Sequence, residues 1–169
     1  AWLARTCGVG PVDAAAATAA AISELRPGIV LHVGVAGARA AAGLVPPTLV
    51  IGSSARYCDL EAPERFAPRV VAADADLLAA LRAAFPAAAV REIGTSARVG
   101  GGVGCEVEAM EGFAVLRAAQ RAGVPAIEVR AISNAVEERD RAHWQLDAAF
   151  AAIVAATPAL VREAARCAR

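Results

Sequence analysis

The sequence lacks lysine altogether, has few aromatic residues and contains no long uninterrupted apolar run. All 17 basic residues are therefore arginines, and 17 acidic residues balance them to a net charge of zero. Non-specific nucleic-acid binding needs a basic surface that neutralises phosphates, and this balance argues against one. The longest apolar stretch, Ala148 to Val161, is interrupted by Thr157 and Pro158 and is shorter than the ~18–20 residues of a membrane span. We therefore expect no nucleic-acid partner and no membrane.

The four cysteines, at positions 7, 58, 105 and 167, are widely separated and include no CxxC pair. Such spacing argues against a metal centre or a disulfide framework and is typical of reduced thiols in a cytosol. Arg5 and a GVGP turn come too early to leave room for the apolar segment of a signal peptide. We therefore predict a cytoplasmic protein with no bound metal.

Apolar runs alternate with helix-like patterns along the 169 residues, about the length of one ordinary domain. This alternation predicts a single α/β domain over residues 1–169, with three layers, α/β/α, around a mixed, mostly parallel central sheet. Helices are predicted from Pro11 to the stop at Pro27, over 74–85, over 106–123, and from about His143 onward with a bend near Pro158. Strands are predicted over 29–35, 48–57, 89–98 and 125–134.

The strand predicted at 29–35 shows little alternation of apolar and polar residues, so we expect both of its faces to be covered. It ends in the turn Gly34-Val35-Ala36-Gly37. Small residues let a ligand approach the backbone, and free N–H groups in such turns can hold an anion or a polarised water. The alternative is a tight turn that simply requires glycine.

The segment from Glu108 to Gly112 is predicted to open a helix, with Glu108 and Glu111 on neighbouring sides of one turn. Carboxylates in a first helical turn are favoured by the helix dipole whatever their function. The residues that follow Glu111 are apolar, which indicates a partly buried carboxylate. Such a group needs partners, and two vicinal sugar hydroxyls could supply them.

The strand at 125–134 carries an arginine, Arg130, among apolar residues, where an unpaired guanidinium would be costly. Glu128, Glu111 or a bound anion could neutralise it. Ser133 and Asn134 stand at the end of this strand, and ligands of α/β sheets bind at the carboxyl ends of strands.

Four segments, GVGPVDAAAATAA, VGVAGA, VEAMEG and VRAISN, occur in this order and together resemble the nucleoside phosphorylase and nucleosidase superfamily. The resemblance extends from about Thr6 to Ala156. Within that superfamily, VEAMEGFAVLRAA, RAISN in place of RAISD, and RDRAHW look most like the futalosine hydrolase family. That family cleaves hypoxanthine from futalosine in the alternative menaquinone pathway of bacteria.

The resemblance implies roles for individual residues. Met110 and Glu111 would hold the ribose, with the Glu111 carboxylate accepting from the 2′- and 3′-hydroxyls. Ala36 and Gly37 would line the cavity near the sugar and the attacking water. Arg130 would help to position that water through a neighbouring acid.

Asn134, with Ser133 beside it in the substrate pocket, falls where related adenine-nucleoside hydrolases carry an aspartate that protonates N7 of the base. Adenine presents an acceptor at N7 and a donor at its 6-amino group, which match a protonated carboxyl. Hypoxanthine, a 6-oxopurine, presents two acceptors, and the amide NH₂ of Asn134 offers two donors. On this alignment Asn134 favours a 6-oxopurine and disfavours methylthioadenosine.

The resemblance further implies a purine nucleoside as the small-molecule substrate, no cofactor, and a homo-oligomer, a dimer or larger. Family members begin with a strand and turn that supply a water-activating acid, which has no counterpart in these residues, so we expect a domain that lacks its N-terminal strand. Val35 stands where some relatives have a hydroxyl residue. An arginine such as Arg139 or Arg141 could meet the carboxylate of the futalosine side chain.

Three other functions remain open at this point. A methylthioadenosine/S-adenosylhomocysteine nucleosidase is disfavoured by Asn134. A phosphate-dependent purine phosphorylase needs arginines around a phosphate, for which Arg39 and Arg56 are loose candidates. The third alternative is a relative that binds a purine nucleoside without cleaving it.

Overall fold

In a computed structural model, which describes residues 2–167, the chain folds as a mixed α/β structure. The helices are α1 (Pro11–Leu25), α2 (Ala75–Ala84), α3 (Gly112–Arg121) and α4 (Leu146–Cys167). The strands are β1 (Val30–Ala38), β2 (Leu49–Tyr57), β3 (Val70–Ala72), β4 (Ala89–Thr95), β5 (Val107–Ala109) and β6 (Ala126–Ala135). Short 3₁₀ turns occupy Ala40–Ala42 and Arg141–His143.

The six strands follow the order β3-β2-β4-β5-β1-β6. Three of the pairings are parallel, β1 with β6, β2 with β4, and β4 with β5. Three are antiparallel, β1 with β5, β2 with β3, and β2 with β6. The pairing of β2 with β6 joins strands from opposite ends of the order, so that β2, β4, β5, β1 and β6 form a closed circuit. The predicted α/β class with a mixed sheet is confirmed.

Three apolar clusters hold these elements together. In the first, α2 and α4 pack on the strands through Leu77, Leu81 and Leu160. In the second, α1 and α3 pack on strand residues through Ala14, Phe113 and other buried side chains. The buried members of the third all belong to strands of the closed circuit: Ala36, Ala38, Val50, Ile93, Val107, Ala109 and Ile132. The carboxyl ends of β1 and β6 therefore rest on a packed support.

Helix α4 is, within residues 2–167, the one helix whose length and composition would allow it to cross a membrane. Its buried residues, Ala149, Ile153, Ala156, Leu160 and Ala164, recur every three or four positions. That spacing makes one apolar stripe, which joins the first cluster. This stripe packs against the rest of the chain, whereas Phe150 and Val154 of the same helix are exposed. The helix begins at Leu146 rather than near His143, and it continues through Pro158.

Two of the predictions on secondary structure are wrong. Residues 107–109 form β5 instead of the start of a helix, because their backbone pairs with β1 on one side and β4 on the other. Strand β1 is not covered on both faces, since Val33 is 36% exposed and lines a cavity. Strand β6 has the burial that was expected of β1, with every residue buried except the last. The short strand β3 lies in a region for which no strand was predicted.

Candidate active site

A cavity of about 300 Å³ lies at the carboxyl ends of β1 and β6. It brings together all seven residues that the sequence singled out: Ala36, Gly37, Met110, Glu111, Arg130, Ser133 and Asn134. The parallel register explains the convergence, because Gly34 lies opposite Arg130 and Gly37 lies opposite Asn134. Strand β5 runs directly into Met110 and Glu111, so the start of α3 reaches the same cavity.

A larger groove, of about 700 Å³, runs between α1 and α3. Its lining is mostly alanine and other apolar side chains, with Arg117 and Arg121 at one side. No carboxylate lines it among the residues that the structure describes. The smaller cavity therefore holds the carboxylates and other polar groups that a reaction needs, although the larger groove has more space.

Arg130 is the charged centre of the cavity, and its side chain is 5% exposed. Its Nε donates to Glu128 Oε1 at 2.7 Å, and one terminal nitrogen donates to Glu111 Oε2 at 3.1 Å. The other terminal nitrogen donates to the Val35 carbonyl at 3.2 Å. Both carboxylates that the sequence offered as counter-ions are therefore paired with Arg130.

Burial raises the pKa of Glu128 above its ordinary value, and the nearby Arg130 offsets part of that rise. Burial alone would lower the pKa of Arg130, but Glu128 and Glu111 outweigh it and leave that pKa raised. Glu128 is 0% exposed, and its Oε2 has no hydrogen-bond partner. The Arg130 guanidinium therefore stays charged. The Oε2 atom of Glu128, by contrast, is buried without a hydrogen-bond partner.

The Glu111 side chain is 12% exposed and accepts one hydrogen bond on each oxygen. Oε2 receives Arg130, and Oε1 receives the backbone N–H of Gly10 at 3.2 Å. A carboxylate has about four lone-pair positions, so about two remain. Glu111 can therefore accept from two further hydroxyl groups without giving up its present partners.

Glu108 also lines the cavity, but its hydrogen-bond partners differ from those of Glu111. Its two oxygens accept from the backbone N–H groups of Gly100 and Gly102. Arg39 supports the same loop by donating to the carbonyls of Gly102 and Cys105, each at 3.0 Å. Glu108 and Arg39 therefore fix the glycine-rich segment that closes one side of the cavity.

The amide of Asn134 already has two protein partners. Its Nδ2 donates to the Ala135 carbonyl at 2.9 Å, and its Oδ1 lies 2.8 Å from the Ser133 hydroxyl. An amide nitrogen carries two N–H groups, so one is left for a ligand in this orientation. Presenting both to a purine requires rotation of the amide away from Ala135.

Two aromatic residues, Trp144 and Phe150, line the cavity, although neither is predicted from the sequence to do so. The Trp144 indole N–H donates to the Glu138 carbonyl at 3.2 Å, which fixes the ring. Phe150 is 50% exposed on α4. A phenylalanine outside the buried stripe of α4 is the sequence signal that could have indicated an exposed ring.

His32 also lines the cavity, although no role is predicted for it from the sequence. It stands among apolar residues of β1, where a lone histidine is easily taken for a core residue. In the part of the chain that the structure describes, no group of three or more His, Cys, Asp or Glu residues could hold a metal ion.

Gly112 is expected to be intolerant of a side chain, because a Cβ there would overlap the Glu128 carboxylate. Alanine favours a helix over glycine by about 1 kcal/mol, but this overlap involves a buried group held by Arg130. We expect Gly112→Ala to lower the free energy of unfolding by about 3 kcal/mol, at the upper end for overpacked sites. Denaturant unfolding measures it.

Gly28 is the matched control, since a Cβ there would meet nothing within 4 Å. We expect Gly28→Ala to change the free energy of unfolding by no more than about 1 kcal/mol. Equal stability of the two variants would contradict the close packing of Gly112 on Glu128.

Comparison with known proteins identifies the family through one family profile, which partial sequence matches and a shared fold accompany. A profile of the Phosphorylase superfamily matches residues 3–103, which are 101 of the 169 residues. The futalosine hydrolase of Streptomyces coelicolor is 54% identical over 50 residues, a match that covers 30% of this chain and 21% of that relative. The match thus spans about a fifth of the length of that curated relative.

Solved structures share the fold over nearly the whole chain. A methylthioadenosine/S-adenosylhomocysteine nucleosidase from Colwellia psychrerythraea, in complex with adenine, has a TM-score of 0.82 and 21% identity. The likeness covers 94% of this chain and 76% of that one. The futalosine hydrolase of Helicobacter pylori has a TM-score of 0.78 and 17% identity, over 93% of this chain and 76% of that one. Since the family profile matches more than half of its residues, the chain belongs to the Phosphorylase superfamily.

Proposed function

We propose that this chain forms the nucleoside-cleaving domain of a futalosine hydrolase, which hydrolyses the N-glycosidic bond of futalosine and releases hypoxanthine. One observation carries the proposal: a single cavity holds Glu111, suited to a ribose diol, and Asn134, suited to a 6-oxopurine. The identity with the Streptomyces coelicolor futalosine hydrolase supports it. Release of hypoxanthine from futalosine, measured on this chain and on a version extended at its N-terminus, is the experiment that tests it.

The proposed mechanism follows from the charges that develop as the bond breaks. The ribose ring becomes positive and the departing purine becomes negative. Hydrogen bonds from Asn134 to the base strengthen as its negative charge grows, which stabilises the transition state more than the ground state. The Glu111 carboxylate holds the ribose hydroxyls while Arg130 holds Glu111 in place. Water then captures the ribosyl cation, and this chemistry needs no cofactor.

The acid that activates the water is proposed to come from outside residues 2–167. The two carboxylates that line the cavity in the described chain are Glu108 and Glu111. Glu108 is used by loop N–H groups, and Glu111 is assigned to the ribose. We accordingly propose one domain over residues 1–169, of the three-layer type with a mostly parallel sheet, completed by a further N-terminal strand.

Hydrolysis is favoured over phosphorolysis by the positions of the arginines. Arg39 binds loop carbonyls, and Arg56 pairs with Glu92 at 2.6 Å. Neither lines the cavity, where Arg130 is the one arginine among the described residues. Because Arg130 is already paired with two carboxylates, it is a poor phosphate ligand. Added phosphate is therefore expected to leave the rate of base release unchanged.

The carboxylate-bearing side chain of futalosine is proposed to pass Trp144 toward Arg141. The Arg141 guanidinium lies 5.6 Å from the centre of the Trp144 ring, and no described carboxylate pairs with it. Arg139 stands two positions earlier on the same exposed turn. Both arginines stand within five residues of Trp144, which lines the cavity.

Replacing both Arg139 and Arg141 with alanine is expected to raise KM for futalosine about 5- to 10-fold, the effect of one lost exposed ion pair or charged hydrogen bond. Inosine lacks the charged tail, so we expect it to be a poor substrate both before and after the substitution. Arg162→Ala, on an exposed position of α4, is the control. An unchanged KM for futalosine, with inosine still a poor substrate, would rule out the tail subsite.

The assembly and location are also proposed on the family resemblance: a cytoplasmic homo-oligomer, a dimer or larger. Light scattering coupled to size exclusion measures the mass of the purified protein in solution. A monomer at micromolar concentration would contradict the oligomer.

A further inference from the structure

His32 lies in β1, is 9% exposed and lines the candidate cavity. Its Nε2 is 2.6 Å from a terminal nitrogen of Arg130. A guanidinium has only donors, so at this distance Nε2 must carry the lone pair. The imidazole is therefore neutral, with its proton on Nδ1.

The same terminal nitrogen of Arg130 also donates to Glu111 Oε2 at 3.1 Å. Its two N–H groups are thus divided between His32 and Glu111. With Nε on Glu128 and the other terminal nitrogen on Val35, the guanidinium plane is held from four sides. Removal of the His32 acceptor would free one N–H and allow the plane to turn away from Glu111.

We propose that His32 is a positioning residue, a neutral hydrogen-bond acceptor that orients Arg130 so that Arg130 holds Glu111 ready for the ribose. This proposal rests on the proposed function for the role of Glu111. The fixed tautomer of His32 is independent of that function and can be tested separately.

The groups that face His32 from the surrounding elements agree with a neutral ring. Burial and the charge of Arg130 both lower the pKa of His32 well below its ordinary value. Glu128 Oε1 is 4.0 Å from Nε2 of His32, which is beyond hydrogen-bond distance. Burial also raises the pKa of Glu128. Cys7 lines the same cavity from the N-terminal segment, and burial raises the pKa of its thiol. Glu111, at the start of α3, is held on Arg130.

The lowered pKa has a consequence for stability. The unfolded histidine takes up a proton near pH ~6.5, whereas the buried one resists it. His32 therefore favours the folded state above pH ~6.5, and this contribution is lost as the pH falls toward its lowered pKa.

Two variants separate positioning from packing. His32→Gln places an amide oxygen at about the reach of Nε2 and keeps an acceptor for Arg130, whereas His32→Leu removes it. By calorimetry, we expect His32→Leu to weaken inosine binding about 10-fold, the effect of one lost hydrogen bond to a charged group. We expect hypoxanthine, which has no ribose, to bind within about 2-fold of the original chain, and His32→Gln to restore inosine binding.

Nitrogen-15 NMR of the histidine side chains tests the tautomer directly on the unmodified chain. His143 is the second histidine of the sequence, and His143→Gln assigns the signals. We expect a neutral His32 ring at pH 7 with the proton on Nδ1. A protonated ring, or a proton on Nε2, would overturn the proposal whether or not any nucleoside binds.

The remaining outcomes are also decisive. Equal loss of inosine and hypoxanthine binding in His32→Leu, or no rescue by His32→Gln, would overturn a positioning role and leave His32 as a packing residue. The expected tautomer together with no binding of either inosine or futalosine by the original chain would overturn the proposed function, and with it the effect of His32 on the ribose.

Discussion

Replacing Glu111 with glutamine is expected to lower kcat/KM for nucleoside cleavage about 10²- to 10³-fold, the usual cost of removing one group aimed at developing charge. The carboxylate has two partners in the protein, Arg130 and the Gly10 N–H, and about two lone-pair positions left for ribose hydroxyls. An amide keeps one acceptor oxygen but replaces the other with donors. Initial rates of base release measure the loss.

The substitution also leaves Arg130 with one carboxylate, Glu128, in place of two. Some of the loss could therefore come from a weakened fold, and thermal unfolding of the same sample separates the two effects. Glu106→Gln is the matched control. Glu106 is an exposed carboxylate that also pairs with an arginine, Arg91, but it does not line the cavity. Equal activities of the Glu111 and Glu106 variants would contradict the assignment of Glu111 to the ribose.

Replacing Asn134 with aspartate is expected to shift the preference from a 6-oxopurine toward a 6-aminopurine nucleoside by about 10²-fold, since each base-edge mismatch typically costs about 1–3 kcal/mol. The Ala135 carbonyl lies 2.9 Å from Nδ2. Repulsion between a carboxylate and that carbonyl favours the protonated form, whose single O–H is available to N7 once the group turns away from Ala135. The ratio of hypoxanthine release from futalosine to adenine release from methylthioadenosine measures the change.

Ser133→Ala distinguishes a change of specificity from general damage near the base. Its hydroxyl contacts Asn134 Oδ1 at 2.8 Å and the Ala36 carbonyl at 3.2 Å, so its removal loosens the amide without changing its chemistry. We expect this variant to slow both substrates alike. If Asn134→Asp also slows both substrates alike, Asn134 does not determine which purine base the protein prefers.

The convergence of several candidate residues could be predicted from the sequence, because they lie within a few positions of glycine turns or strand ends, whereas their roles come from the family resemblance. Gly37 and Asn134 are nearly 100 residues apart in the chain, yet they are paired in the parallel register of β1 and β6. A prediction that places ligands at the carboxyl ends of strands therefore finds both. The burial of Arg130 was also predictable, because β6 is apolar on either side of it.

Other features depend on long-range pairing, and local sequence could not indicate them. Residues 107–109 have a helix-compatible sequence but become β5 through pairing with β1 and β4. This placement separates Glu108 from Glu111 and gives the two carboxylates different partners. His32 and Trp144 carry no local signal of a cavity, and only the three-dimensional structure places them there.

The central claim is tested most directly by base release, followed by chromatography, from futalosine, inosine and methylthioadenosine, each with and without phosphate. The assay uses this chain and a version extended by its upstream coding sequence, since the water-activating acid is proposed to lie outside residues 2–167. We predict hypoxanthine release from futalosine alone, in the extended version, at a rate that phosphate does not change. Adenine release would contradict the role of Asn134, and release that requires phosphate would contradict hydrolysis. Purine binding with no release from either version would leave a nucleoside-binding relative in place of an enzyme.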